Sequence, residues 1–128
     1  MANLFDLIGR ILISLIFLLS GYNKIFNYGN TVEWMEGFGV PGFLLWPTIV
    51  LEIILPILII IGYRTKVSAI LLAAFCIATA VIFHLDFANQ IQTIAFFKNF
   101  ALAGGFLFIA VHGPKEWSVE RKKKYVRL

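Results

Sequence analysis

Four long apolar stretches dominate the chain, at residues 5–26, 42–63, 67–85 and 94–112. Each is close to the ~20 residues with which a helix crosses ~30 Å of hydrocarbon. Lipid offers the backbone no hydrogen bonds, so a spanning segment is either a helix or a strand of a closed barrel, and four strands cannot close one. The expected fold class is therefore all-α, a four-helix transmembrane bundle occupying residues 1–128 as a single domain. Composition removes the soluble alternative. Of the 128 residues, 60% are hydrophobic and 14% charged, where a soluble domain has about 45–50% and 25%. The low charge also excludes an intrinsically disordered chain. With Cys76 as the sole cysteine there is neither an intramolecular disulfide nor a dithiol site.

Arg10 ahead of the apolar run 11–19 resembles the start of a signal peptide. The following Ser20-Gly21-Tyr22-Asn23-Lys24 lacks a small-x-small cleavage site, and three more spans come after it, so the segment is expected to be retained. Orientation follows from lysine and arginine. With both termini in the cytoplasm, the inner side holds nine basic residues (Arg10, Arg64, Lys66, Lys115, Arg121, Lys122, Lys123, Lys124 and Arg127) and the outer side two, Lys24 and Lys98. The tail 115–128 is then a basic cytoplasmic segment facing anionic lipid, and nucleic acid is not an expected partner.

The connections differ in length. Arg64-Thr65-Lys66 reads as a tight inner turn and 86–93 as a short outer loop. The outer connection 27–41 is longer. Asn30 and Glu33 have capping-box spacing, which predicts a short helix. Trp34 and Phe38 share one side of it, so it should lie at the membrane surface. Trp46 and Trp117 fall near span ends, where aromatic belts belong.

Glu52 stands ten residues into the second span, close to mid-membrane. A charge at a helix centre costs roughly 2.5–3.5 kcal/mol on insertion scales, so Glu52 is expected to face the bundle interior. Pro56 lacks the N–H that would bond the carbonyl of residue 52, which frees a second polar group in the same turn. Two readings stay open: a carboxyl that handles protons or binds a head group, and structural glue between helices. Lys98 and Asn99 lie about 6–8 Å into the fourth span, and Lys98 differs from Glu52 by about 9 Å in depth. Glu52 with Lys98 or Asn99 is thus the expected buried polar pair. Arg10, about 7 Å from the inner end of its span, is expected to snorkel to the surface. Lys24 closes the first span on the outer side.

His84 ends the third span outside and His112 the fourth inside, nearly a membrane apart, so they cannot clamp one haem. Asp86 beside His84 suggests an outer-face pair. No zinc site, phosphate loop or nucleophile triad is present, and no metal is expected. Small residues at helical spacing mark close contacts: Ala69, Ala73, Cys76 and Ala80 on the third span, Ala101 and Gly105 on the fourth.

The order Arg10, Ser20-Gly21 with Lys24, Gly39-Val40-Pro41, Glu52 with Gly62, Lys98-Asn99 with Leu102-Ala103-Gly104-Gly105, Gly113-Pro114 and Ser118-Val119-Glu120 resembles the DoxX family of small four-helix membrane proteins over nearly the whole chain. The family often carries an aspartate where Glu120 stands. The resemblance implies a bacterial cytoplasmic membrane protein linked to quinone-dependent oxidation. It points to a small accessory subunit of an oxidoreductase system rather than an autonomous enzyme. A quinone is the candidate cofactor. The ligand-binding or proton-handling candidates are Glu52, Lys98, Asn99, Arg10 and Lys24. The alternative is a small-molecule or lipid transporter, or a scaffold, acting as an oligomer. Expected partners are membrane lipid, an oxidoreductase subunit, or a second copy of the chain.

Overall fold

The computed structural model describes residues 1–119. The end of the basic tail, from Glu120 through Arg121, Lys122, Lys123, Lys124 and Arg127, lies outside the described residues. Five α-helices follow in order: α1 Ala2–Phe26, α2 Tyr28–Gly37, α3 Leu45–Ile61, α4 Thr65–Phe83 and α5 Gln90–His112, with a 3₁₀ turn Gly42–Leu44 leading into α3. No strand occurs among the described residues. Helices α1, α3 (with its 3₁₀ turn), α4 and α5 are long and apolar enough to cross a membrane. They run alternately up and down, and α2 sits at one end. The predicted spans are recovered, with α1 and α5 beginning three or four residues earlier than their apolar runs. Polar ends stay helical because Asp6 is bound within α1 and Asn89 caps α5, accepting from the Ile91 N–H at 2.9 Å and the Gln92 N–H at 3.3 Å.

Helix α3 packs chiefly on α1, and α4 on α5. The α4 face is the predicted small-residue stripe, with Ala69, Ala73, Cys76 and Ala80 all buried. On α5 the contact residues are Ala103, Phe106 and Ala110 rather than the expected Ala101 and Gly105. Ala101 is exposed, and Gly105 instead faces α1, where an added Cβ would come within 2.8 Å of Ile13 Cδ1. Phe17 fills the centre, edge-on to Phe106 at 5.5 Å between ring centroids.

Helix α2 does not begin with a capping box. The chain leaves α1 at Asn27 and re-enters a helix at Tyr28, so Asn30 is already inside the ladder. The Thr31 N–H and hydroxyl both donate to the Asn27 carbonyl, at 2.9 and 2.8 Å. Trp34 and Phe38 do share a side, 5.2 Å apart, and both close on Phe83 at the end of α4, at 4.5 and 5.1 Å. Met35, Leu45 and Ile49 form a second small core beneath α2.

At the other end, α3 stops at Gly62 in a left-handed conformation, φ 76°. The Tyr63 N–H donates to the Leu58 carbonyl and the Gly62 N–H also to that of Ile59, a Schellman closure. An added Cβ on Gly62 would collide with the side chain of Ser118, because the segment after α5 folds back across this end and the Val119 N–H donates to the Ile61 carbonyl.

A candidate head-group chamber at the α2 end

The two cations of α1 have different surroundings. Arg10 is 2% exposed. Its Nε donates to Asp6 Oδ2 at 2.9 Å, Nη1 to the carbonyls of Ile59 at 3.1 Å and Ile60 at 2.5 Å, and Nη2 to that of Trp117 at 2.7 Å. Asp6 also accepts from the Lys115 N–H. The expected snorkelling is therefore overturned. At the end of α3 the Ile60 carbonyl has no helical N–H to accept from and that of Ile59 takes only the Gly62 N–H, so a guanidinium supplies the remaining donors to both. Arg10 binds α1, α3 and the segment after α5 together.

Lys24 lies fourteen residues further along α1, about 21 Å away. Its Nζ donates to Ser20 Oγ at 2.7 Å and to Glu52 Oε1 and Oε2 at 3.1 and 3.2 Å. Three N–H groups thus meet three oxygens. Gly21 makes this reach possible: an added Cβ there would lie 2.7 Å from Ile53 Cδ1 and 3.5 Å from Glu52 Cβ, so α3 can approach only a bare backbone. The expected pairing of Glu52 with Lys98 or Asn99 is corrected. Sequence depth put Lys98 nearest, whereas helix pairing brings α3 against α1. Asn99 Nδ2 donates to the Ala95 carbonyl of its own helix at 3.0 Å. Lys98 has no hydrogen bond or ion pair among the described residues.

The Lys24–Glu52 pair faces a cavity of about 390 Å³ at the α2 end. Lys98 and Asn99 line its α5 side, Phe75 and Thr79 its α4 side, and Trp34 lies across it from α2. Four of the five sequence candidates therefore converge on one chamber, while Arg10 is at the opposite end. Ser20 and Trp34 were missed. Ser20 was legible in principle, since it stands four residues before Lys24 on the same helical face. His84 also lines the chamber, and its Nδ1 partner is Gln92 Oε1 at 2.5 Å rather than Asp86. His112 ends α5 at the Arg10 end.

The chamber offers complementary chemistry. Ser20 accepts from Lys24, and its own hydroxyl is in hydrogen-bonding reach of Glu52. The Glu52 oxygens retain lone pairs beyond those used by one ammonium, and Lys98 brings an uncommitted cation. Aromatic and aliphatic side chains supply the remaining wall. A mostly apolar cleft with a few convergent polar groups is the usual form of a small-molecule site, and the volume falls toward the lower end of the usual range of about 300–1,000 Å³.

Fold and site together define a small helical integral membrane protein with, at one end, a mostly apolar chamber that carries a few polar groups. Residues 5–85 match the DoxX family, and the chain belongs to that family. Inner membrane protein YqjF of Escherichia coli is 39% identical over 115 residues, covering 90% of this chain and 88% of its own. Inner membrane protein YphA of the same organism is 36% identical, covering 91% and 88%. The ER-derived vesicles protein ERV29 of Saccharomyces cerevisiae is 29% identical over 121 residues, covering 91% of this chain but 33% of its own length. No solved structure matches.

Proposed function

We propose that this protein is a non-catalytic subunit of the bacterial inner membrane that holds the head group of a quinone-type molecule for a partner oxidoreductase. The observation that carries the reading is the Lys24–Glu52 pair on the wall of a 390 Å³ aromatic-lined cavity. A ring carbonyl would accept from the Lys98 ammonium. A ring hydroxyl would donate to Glu52, which makes Glu52 the proton-handling residue. No electron carrier is implied by these residues, so oxidation and reduction fall to the partner. Inner-membrane location is supported by the two Escherichia coli relatives. The basic-residue bias supports cytoplasmic termini, which puts the chamber on the outer side.

Protein purified in mild detergent with its native lipid tests this reading. Quinone extracted in near-stoichiometric amount from wild type and lost from Glu52→Gln is the expected outcome. Its absence from both proteins would refute the quinone assignment. The competing reading, a transporter acting as an oligomer, is favoured by the chamber lying at one end, as in half of an alternating-access path. It requires the Arg10 bonds to open in each cycle. Substrate flux into liposomes that stops in Glu52→Gln would establish it in place of the subunit role.

A further inference from the structure

A cavity of about 390 Å³ has room for a head group but not for a long tail. A second space lies directly against it. Ile16, Leu19, Ser20, Asn23, Lys24, Asn27, Thr31 and Trp34 line a groove of about 500 Å³ between α1 and α2. Five of these residues (Ile16, Ser20, Lys24, Thr31 and Trp34) also line the chamber, so the two spaces meet along one boundary. Lys24 and Ser20, the polar groups of the proposed head-group site, stand on that boundary. Leu19 and Asn23 of α1 and Asn27 at the α1–α2 junction belong to the groove alone and are exposed.

The groove is graded along its length. Asn23, Asn27 and Thr31 are at its α2 end, where a head-group region would be, and Ile16 and Leu19 lie one to two turns deeper, facing hydrocarbon. A water-soluble ligand has no use for such a path. An amphiphile does, because its polar end can leave the lipid surface while its apolar end never leaves lipid.

On this basis, and resting on the head-group reading above, we infer that the ligand is a long-tailed amphiphile that enters sideways between α1 and α2 and keeps its tail in this groove. The α1–α2 corner would then be a portal, and α2, clasped to Phe83 through Trp34 and Phe38, the roof over the head.

Two probes on protein in lipid nanodiscs test the inference: a decyl-tailed benzoquinone and the same ring without its tail. Leu19→Trp fills the groove without touching the chamber. Ile25→Trp, on an exposed position of α1 that lines neither space, controls for the added indole. Wild type should bind the tailed probe more tightly. Leu19→Trp should weaken that binding about tenfold, the equivalent of roughly two methylenes losing apolar contact. Ring-only binding should be unchanged, and Ile25→Trp should behave as wild type. Equal effects of Leu19→Trp on both probes, or none on either, would overturn the portal while leaving the head-group site standing. Failure of both probes to bind wild type would instead remove the head-group reading on which the portal rests.

Discussion

Helix α1 carries a cation toward each of its ends, Arg10 buried and Lys24 half-buried, and the contrast between them separates support from function. At one end Arg10 places four of its five N–H groups on Asp6 and on three backbone carbonyls. At the other, Lys24 meets Ser20 and Glu52 beside a cavity. A guanidinium consumed by carbonyls joins three segments and has little left for a ligand. An ammonium and carboxylate beside a cavity retain carboxylate lone pairs and room for a guest. What each cation touches sets its role.

Substitutions can break this contrast, and their expected effects descend in size. Arg10→Leu should be the most damaging, because it removes four bonds of a buried guanidinium and leaves Asp6 and three carbonyls, that of Ile59 buried, without that donor. Breaking a buried ionic cluster of this kind typically costs about 3–5 kcal/mol, to be read from thermal or denaturant unfolding in detergent. Gly62→Ala comes next. A left-handed backbone and the Ser118 collision should together cost about 1–3 kcal/mol, and tryptic cleavage at Lys115 should accelerate as the folded-back segment loosens.

Lys24→Met should cost less, about 1–2 kcal/mol, since Lys24 is only half-buried and the buried Glu52 carboxyl left behind can neutralise by taking up a proton. Adding Glu52→Gln should recover much of that loss, and a double-mutant cycle measures the coupling. If Lys24→Met proved as destabilising as Arg10→Leu, the distinction between the two ends would collapse. Phe83→Leu should be mildest. It keeps apolar volume and removes the ring contacts to Trp34 and Phe38, worth about 0.5–1.5 kcal/mol, and the emission of Trp34 should shift as α2 loosens.

The spans were legible in the sequence because lipid leaves the backbone so few options. So were the α4 stripe, from its helical spacing, and the interior position of Glu52, from the cost of a charge facing lipid. What stayed hidden depends on which helices become neighbours. Depth alone paired Glu52 with Lys98, yet Gly21 admits α3 against α1 and hands Glu52 to Lys24. Asp6, four residues before Arg10, was legible as a partner, but the other three acceptors of Arg10 are carbonyls at Ile59, Ile60 and Trp117, and carbonyls carry no sequence signal. Asn30 has capping spacing, but the turn at Asn27 starts α2 too early for it to cap.

The most direct test of the two-ended account pairs binding with stability on the same samples. Affinity for the decyl-tailed benzoquinone and the unfolding midpoint would be measured for wild type, Glu52→Gln and Arg10→Lys in nanodiscs. Lysine restores the charge at position 10 but lacks the planar fork. Glu52→Gln should lose affinity by about tenfold or more, the worth of a hydrogen bond to a charged group, and melt close to wild type. Arg10→Lys should melt well below wild type and bind normally below its midpoint. A Glu52→Gln protein that binds normally, or an Arg10→Lys protein that stays stable and loses its ligand, would contradict the assignment of support to one end and ligand to the other.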